Sequence, residues 1–221
     1  MTAIPTKKLE KVIDKKLLEW LEPLGFYAED GGGCARWEND VYVYIGCIVT
    51  RIGGVNCIRP FGQMGFKVTQ RIFQAFMHDR NLHSPKMAVD LQADFAHFAR
   101  NWTEDMHCQD EEDLNSFLGE LRSFVLNKLY PTLTIYVEPR QVLDLYLEYD
   151  ETDRRCLELP GWHGYSSALK ALILARLYRV EVYASLRKRY QPIFEPLIPE
   201  YKEQVSKLIA YLDQKELSPL T

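Results

Sequence analysis

The stretch VYVYIGCIVTRIGGVNCIRPFGQM, residues 41–64, places two runs rich in β-branched and aromatic residues on either side of Gly53-Gly54. A two-residue Gly-Gly connection is typical of a type I′ hairpin, because both central residues need a positive φ. This turn sets the register, in which Ile52 faces Val55. The other pairs follow from it, since side chains alternate between the two faces of a strand. We therefore predict a β-hairpin with two distinct faces.

The two predicted faces differ in composition. The apolar face, which we assign to the core, carries Val43, Ile45, Cys47, Val49, Ile58, Pro60, Gly62 and Met64. The other face carries Tyr42, Tyr44, Thr50, Arg59 and Phe61. Because large apolar patches rarely stay exposed, one hypothesis is that the C-terminal helices cover this second face, and the alternative is that it binds a partner protein. Pro60 cannot donate to a ladder, which predicts that its strand lies at a sheet edge or leaves the sheet there.

Composition indicates an ordinary globular protein. The 221 residues suffice for one domain with a full core, and 47% apolar and 26% charged residues argue against disorder. A net charge of −4 is too small to imply attraction to nucleic acid or to a membrane. No apolar run approaches the ~20 residues of a membrane span, and no signal peptide is recognisable. We therefore expect a cytoplasmic protein with no membrane partner.

The five cysteines, Cys34, Cys47, Cys57, Cys108 and Cys156, form no CxxC pair. Their number is odd and their surroundings are mostly apolar. These features favour buried thiols over a disulfide or zinc framework, and we expect no metal and no cofactor.

Helical periodicity brackets the hairpin. An N-terminal helix is predicted from Leu9, with Thr6 as its N-cap and Pro23-Leu24-Gly25 as its end. Asn39-Asp40 is a second turn signal, which pairs residues 34–38 with residues 41–45. The glycines at 31–33 lack the Lys-Ser/Thr of a phosphate loop and are interpreted as a turn.

Further helices are predicted downstream. One starts near Val68 and ends near Met77, and a longer one runs from Leu114 to Tyr130-Pro131. The last quarter of the chain is helical as well. The fold class is therefore α+β, with an antiparallel meander of three to five strands packed on helices. We expect an α+β core domain over residues 1–150 and a helical region over residues 151–221 that packs on the same domain.

Residues 86–98 are ambiguous, because their apolar positions fit both a strand and one face of a helix. A helix would align Asp90, Asp94 and His97 on one face, as in an acid-base or metal site, whereas a strand would divide them between two faces. Together with His163, these residues support the hypothesis of an enzyme or small-molecule binder.

Charge is segregated along the chain. An acidic segment lies between Trp102 and Asp113 and includes Glu111 and Glu112. A basic set lies in the last quarter: Arg176, Arg179, Arg187, Lys188 and Arg189. Nucleic-acid binding through the basic set is a further hypothesis, against which the mild overall acidity weighs. Complementarity between charges within the chain is the simpler interpretation.

Several landmarks resemble a known type of protein. They are a helix ending in Leu24-Gly25-Phe26, a meander with aromatic strands, Trp102 before an acidic helix start, and a helix ending in Lys128-Leu129-Tyr130-Pro131. In this order, across residues 9–147, they resemble small bacterial α+β domains of unknown function, some of which are thought to be immunity proteins of toxin systems. The resemblance implies an α+β fold and carries over no functional residues.

We expect a non-catalytic protein that binds a partner protein, and a second copy of the chain is an alternative partner. Tyr, Trp and Arg are the residue types that anchor protein interfaces. The expected contact residues are those of the mixed sheet face, Tyr42, Tyr44, Arg59 and Phe61, or those of the acidic surface, Glu111 and Glu112.

Overall fold

A computed structural model describes residues 4–77, 91–94, 106–148 and 164–217. Its elements in chain order are α1 (Thr6–Leu21), a 3-10 turn (Glu22–Leu24), β1 (Tyr27–Ala28), β2 (Cys34–Glu38), β3 (Val41–Ile52), β4 (Val55–Phe66), α2 (Lys67–Phe76), β5 (Leu91–Asp94), β6 (Met106–Cys108), α3 (Leu114–Phe124), a π turn (Val125–Leu129), α4 (Tyr130–Ile135), α5 (Pro139–Glu148), α6 (Gly164–Tyr178), α7 (Val180–Phe194) and α8 (Pro199–Leu212). The predicted α+β class, with an antiparallel sheet and a helical C-terminal region, is confirmed.

The chain divides into two compact units. The first contains Met1–Met64, Gln92–Ile135 and Arg154–Glu158, and the second contains Gly65–Leu91, Tyr136–Asp153 and Leu159–Thr221. Each unit therefore takes segments from both halves of the chain. The division into regions before and after residue 150 stays a prediction.

The sheet has the order β1-β2-β3-β4-β5, and β6 also pairs with β4. Strands β2 and β3 are antiparallel, with Cys34 opposite Ile45 and Glu38 opposite Val41. Asn39, in the turn between them, has a φ of 54°. Asn tolerates this left-handed conformation better than most residues, so the predicted turn and pairing are confirmed.

The hairpin of β3 and β4 is confirmed as well. Both strands are 12 residues long. Gly53 and Gly54 have φ values of 60° and 90°, as a type I′ turn requires. The Thr50 hydroxyl donates to the Cys57 carbonyl over 3.5 Å, in agreement with the predicted pairing of these two residues.

The prediction for Pro60 is wrong. Strand β4 lies inside the sheet, between β3 and β5, and continues past Pro60 to Phe66. In a two-residue hairpin, hydrogen-bonded and non-hydrogen-bonded residue pairs alternate, starting with the bonded pair Ile52–Val55. Pro60 lies in a non-bonded pair with Cys47, so its backbone nitrogen points away from β3. On that other side, β6 pairs with β4 at Asn56–Ile58. Pro60 therefore removes no hydrogen bond from either of these pairings.

Helix α1 packs on the predicted core face of the sheet. Its buried residues, Leu9, Ile13, Leu17 and Leu21, recur every four positions and form one stripe, and the helix contacts β2 and β3. On the sheet, the buried residues of this face include Val43, Ile45, Ile58 and Met64. The assignment of this face to the core is therefore confirmed.

The ends of α1 differ in how well they were predicted. Pro5, not Thr6, is the N-cap, and the Thr6 hydroxyl donates to the Asn56 side chain over 3.2 Å. A tertiary hydrogen bond thus replaces the predicted cap. The C-terminal end agrees with the prediction, because Gly25 has a φ of 84° and donates its N–H to the Glu22 carbonyl.

The predicted end of the helix at Tyr130-Pro131 is wrong. Helix α3 passes through the π turn into α4, which continues to Ile135. Inside the π turn, the Tyr130 N–H donates to the Val125 carbonyl, five residues earlier. The wider turn shifts the hydrogen-bond pattern just before Pro131, which has no N–H to donate, so the helix accommodates proline without breaking.

The second unit is built around α6. Nearly every residue of this helix from Tyr165 to Ala175 is buried, and α2, α5, α7 and α8 pack against it. Because residues on all sides of this helix are buried, Ser166 and Lys170 among them, the helix lies inside its unit. Helix α2, which ends at Phe76, agrees with the prediction. Among the helices in the described part of the chain, none combines the length and apolar character needed to cross a bilayer.

Candidate functional site

The sheet face opposite α1 carries a group of aromatic residues. Trp37 of β2 lies opposite Tyr42 of β3, and Tyr27 of β1 lies opposite Ala35, which itself faces Tyr44. Opposite residues share a face, so all these side chains lie on one side of the sheet. We call this side the aromatic face and define it by Tyr27, Trp37, Tyr42, Tyr44, Arg59 and Phe61.

Two ring pairs organise the aromatic face. Trp37 and Tyr42 make an edge contact with ring centroids 4.9 Å apart, and Tyr44 and Phe61 lie 5.7 Å apart in a tilted arrangement. Tyr42 is only 5% exposed. Tyr42 therefore packs against Trp37 and has almost no surface of its own for a partner. Tyr44, Arg59 and Phe61 are half-buried.

Exposed apolar side chains concentrate on the same side of the sheet. Tyr27 is 44% exposed, Trp37 41%, Ile48 52% and Ile52 64%. Ile48 and Ile52 share this side with Tyr44, because they are separated from it by even numbers of residues along β3. Such a concentration is typical of a surface that binds another protein.

The Tyr44 ring lies next to Gly46, and its hydroxyl is hydrogen-bonded to the glycine turn. Its hydroxyl donates to the Gly32 carbonyl over 3.0 Å, and a Cβ built on Gly46 would lie 2.6 Å from the same hydroxyl oxygen. Only glycine at position 46 leaves room for the ring. Burial, followed by the charge of Asp14, raises the pKa of Tyr44 to about 12.

The glycines at 31–33 form a turn, as predicted. All three have φ values between 73° and 102°. The turn is held from two sides, because the Gly33 N–H donates to Asp14 Oδ1 over 2.9 Å and the Gly32 carbonyl accepts from Tyr44. Its role is therefore to fix one end of the aromatic face.

The acidic surface is partly used within the chain. Asp110 is 9% exposed, and its Oδ1 accepts from the N–H groups of Glu112 and Asp113, which closes the turn before α3. Glu111 pairs with Lys8 of α1 at 2.5 Å. Both side chains of this pair are exposed, and Glu112 is exposed too. Within the described residues of the acidic segment, Glu111 and Glu112 are therefore exposed, whereas Asp110 is not.

A cysteine–histidine pair lies on the same side of the sheet and was not predicted. Cys57 Sγ lies 3.7 Å from Nδ1 of His107, which sits directly opposite on β6. Cys57 is 6% exposed and His107 is exposed. An imidazole in this position can accept the thiol proton. The two residues are 50 positions apart in the chain, so no local pattern announces the pair.

The described cysteines are free, and three of them are buried: Cys34, Cys57 and Cys108. Burial, followed by the Asp14 charge, raises the pKa of Cys34 to about 11. Burial also raises the pKa values of Cys47 and Cys108, with nearby carboxylates adding to the effect. These three thiols are therefore poor nucleophiles near neutral pH.

Of the predicted acid-base residues, the structure describes only Asp94, and the assembly of the four residues stays a prediction. Asp90, His97 and His163 lie outside the described residues. Asp94 lies in β5, so the strand interpretation holds for Leu91–Asp94 and the helical one is wrong there. Within the described ranges, no group of three or more His, Cys, Asp or Glu side chains could hold a metal ion.

Most of the basic residues of the last quarter bind groups within the second unit. Arg179 pairs with Asp144 and Glu181, and Arg187 pairs with Asp213. Arg176 donates to the carbonyls of Leu212, Gln214 and Lys215 at the end of α8. Arg189 donates to the Leu147 carbonyl over 3.5 Å. These contacts reduce the charge available to a phosphate backbone.

Two members of the aromatic face were missed from the sequence, for different reasons. The two-residue turn Asn39-Asp40 already implies that Trp37 faces Tyr42, so Trp37 could have been found. Tyr27 precedes a five-residue connection, residues 29–33, which does not set a register. Only the folded structure places it on this face.

No protein-family model, no curated protein and no solved structure matches this chain.

Proposed function

We propose that this chain is a protein-interaction protein that binds a partner protein on the aromatic face. One observation carries the proposal, namely that Tyr27 and Trp37 are 44% and 41% exposed beside the Tyr44–Phe61 pair. Exposed tyrosine and tryptophan on a rigid sheet supply large apolar contact area at low cost in conformational entropy. The expected occupant is a folded protein with an apolar surface of matching shape.

The aromatic face is favoured over the acidic surface. The rings are held by neighbouring side chains and by the hydrogen bond from Tyr44 to Gly32, so they are ordered before a partner binds. Preorganised contact residues lose less entropy on binding. In contrast, Asp110 and Glu111 already have partners within the chain. The resemblance to immunity-like domains would make the partner a toxin, and that identification is part of the proposal.

The test is affinity capture with the tagged full chain and two variants. The double variant Tyr27→Ser, Trp37→Ser changes exposed residues of the face and leaves the buried Tyr42 intact. Ile135→Ser is the matched control, because Ile135 is 61% exposed and lies outside the sheet. Thermal unfolding of all three forms first verifies that they fold.

We expect one stoichiometric partner with the unchanged chain and with the control, and at least a tenfold loss with the double variant. A tenfold loss corresponds to about 1.4 kcal/mol, and truncation of a single anchor residue typically costs about 2 kcal/mol or more, so the loss should exceed this factor. A partner retained equally by all three forms, or no partner with any of them, contradicts the proposal.

A further inference from the structure

The hairpin leaves part of β3 without a neighbouring strand on one side. Strand β2 pairs with β3 only from Val41 to Ile45, and along the described chain no strand pairs with residues 46–52 on that side. Along β3, residues in hydrogen-bonded pairs with β4 alternate with residues in non-bonded pairs. Thr50 and Ile52 belong to bonded pairs, so their N–H and C=O groups point towards β4. Val49 and Arg51 direct theirs away from it. The outward N–H and C=O groups of these two residues form an open sheet edge.

This edge lacks the usual protection against pairing. Natural edge strands carry lysines, prolines or bulges that prevent association with another strand. Residues 46–52, Gly-Cys-Ile-Val-Thr-Arg-Ile, contain one charge, no proline and four β-branched residues. Ile48, Thr50, Arg51 and Ile52 are all exposed. The composition of this segment therefore favours pairing with a strand of another chain.

We propose that two copies of this chain pair antiparallel through this edge, about a two-fold axis at Thr50. In this register Val49 of each copy lies opposite Arg51 of the other. Each such pair exchanges two N–H to carbonyl hydrogen bonds, which makes four in all. The two sheets then form one continuous sheet. This inference goes beyond the proposed function, since it concerns the edge of β3 and a second copy of this chain.

The side chains of the edge are self-complementary in this register, as a two-fold interface requires. Ile48 of one copy lies opposite Ile52 of the other, and Thr50 lies opposite Thr50. Ile48 and Ile52 are 52% and 64% exposed. The two-fold axis creates two such Ile48–Ile52 contacts between the copies. Pairs of β-branched residues across antiparallel strands are stabilising.

A neighbouring register fits less well. With the axis at Val49, Ile52 of the second copy would lie opposite Gly46, and its turn would run towards the glycine turn at 31–33. That turn already lies beside the Ile45 carbonyl and the Tyr44 hydroxyl. The register at Thr50 keeps the second copy's turn short of this position, and it pairs Ile48 with Ile52 instead of with Thr50.

The register predicts a specific disulfide. Two Thr50 residues form a non-bonded pair with a Cα separation of about 4.5 Å, which is within the range that a disulfide spans. The Thr50→Cys variant is therefore expected to form a disulfide-linked dimer under mild oxidation. In the control variant Ile52→Cys, the two new thiols lie about four strand positions apart, or roughly 13 Å, and cannot join. The unchanged chain, oxidised in parallel, gives the background from the natural cysteines.

We expect at least tenfold more linked dimer from Thr50→Cys than from Ile52→Cys. Equal yields of linked dimer from the two variants, or no excess over the unchanged chain, would overturn the proposal. Neither result bears on binding at Tyr27 and Trp37, so the two proposals fail independently.

Sedimentation velocity provides a second readout that needs no cysteine. One strand pair is a small interface, so the dimer is expected only towards high protein concentration. The double variant Ile48→Lys, Ile52→Lys should remain monomeric there, while Ile135→Lys should behave as the unchanged chain. If the unchanged chain is monomeric at every concentration, or if the double variant dimerises equally, this pairing does not occur. A monomer that instead takes up an extended segment of another protein at this edge would also contradict it.

Discussion

Asp14 Oδ1 accepts a hydrogen bond of 2.9 Å from the backbone N–H of Gly33. This contact joins α1, on one side of the sheet, to the glycine turn whose carbonyl at Gly32 anchors Tyr44 on the other side. The aromatic face thus depends on a helix that does not contribute to it.

Replacing Asp14 tests this connection. We expect Asp14→Ala to lower the free energy of unfolding by about 1.5–3 kcal/mol, since hydrogen bonds to charged acceptors have that worth. Asp14→Asn keeps an acceptor oxygen and should lose less. Urea unfolding measures both, and Lys15→Ala, an exposed change on the same helix, should stay within about 0.5 kcal/mol. Similar losses for Ala and Asn would mean that the hydrogen bond is not what Asp14 contributes.

Close packing between β4 and α4 gives a second prediction. A Cβ built on Gly62 would collide with Leu133 Cδ1 and would lie 3.2 Å from Leu129 Cδ1. We expect Gly62→Ala to cost about 1–3 kcal/mol through overpacking, and Leu133→Ala to cost about 2–5 kcal/mol through the cavity it leaves. The double variant should be more stable than the sum of the two losses predicts, because the added methyl enters the vacated space. A strictly additive result in chemical denaturation would show that the two residues do not touch.

The raised pKa of Tyr44 predicts a loss of stability in alkali. In the unfolded chain this phenol ionises near its ordinary value of 10.0, whereas in the folded chain burial and Asp14 hold its pKa at about 12. Its contribution is therefore complete below pH 10 and is lost as the pH rises through 12. At pH 11 the loss is about 1.4 kcal/mol, corresponding to one pKa unit.

Comparing the chain with its Tyr44→Phe variant isolates this effect. Between pH 9 and pH 11, the variant should lose about 1.4 kcal/mol less free energy of unfolding than the unchanged chain. At pH 9 the variant should be the less stable of the two, because it lacks the hydrogen bond to Gly32. Urea midpoints at the two pH values provide the measurement. An unchanged pH dependence would show that Tyr44 titrates in the folded chain as it does in the unfolded one.

Thiol reactivity offers a prediction that distinguishes the cysteines. At pH 8 a pKa near 11 leaves Cys34 with about a hundredfold less thiolate than its ordinary value of 9.0 would, and alkylation requires thiolate. We expect iodoacetamide to modify Cys57 before Cys34, Cys47 and Cys108, because His107 can accept the Cys57 proton. Peptide mapping by mass spectrometry follows each site, and His107→Gln should slow only Cys57. Modification of Cys34 at the same rate as Cys57 in the folded chain would contradict the assignment.

The elements of the first unit follow closely from local sequence. Gly53-Gly54 and Asn39-Asp40 specify two-residue turns, and each such turn sets a register without reference to the rest of the chain. The apolar residues of α1 recur every four positions and identify its buried side. The core face and the composition of the aromatic face could therefore be predicted.

The errors arose where distant contacts override local signals. Thr6 has the chemistry of an N-cap, yet Asn56, 50 residues away, takes its hydroxyl. Pro131 is a helix-ending signal, yet a π turn just before it lets the helix continue. Pro60 suggests an edge strand, yet its nitrogen points away from β3 and lies beyond Asn56–Ile58, the residues that pair with β6.

By itself, then, the sequence determined the α+β class, the hairpin and its register, because turn chemistry and side-chain alternation act over a few residues. Only the tertiary structure decided that Tyr42 is buried while Tyr27 and Trp37 are exposed, and that Cys57 meets His107. Exposure and distant pairing depend on which segments pack together, and that is a property of the whole chain that no short pattern encodes.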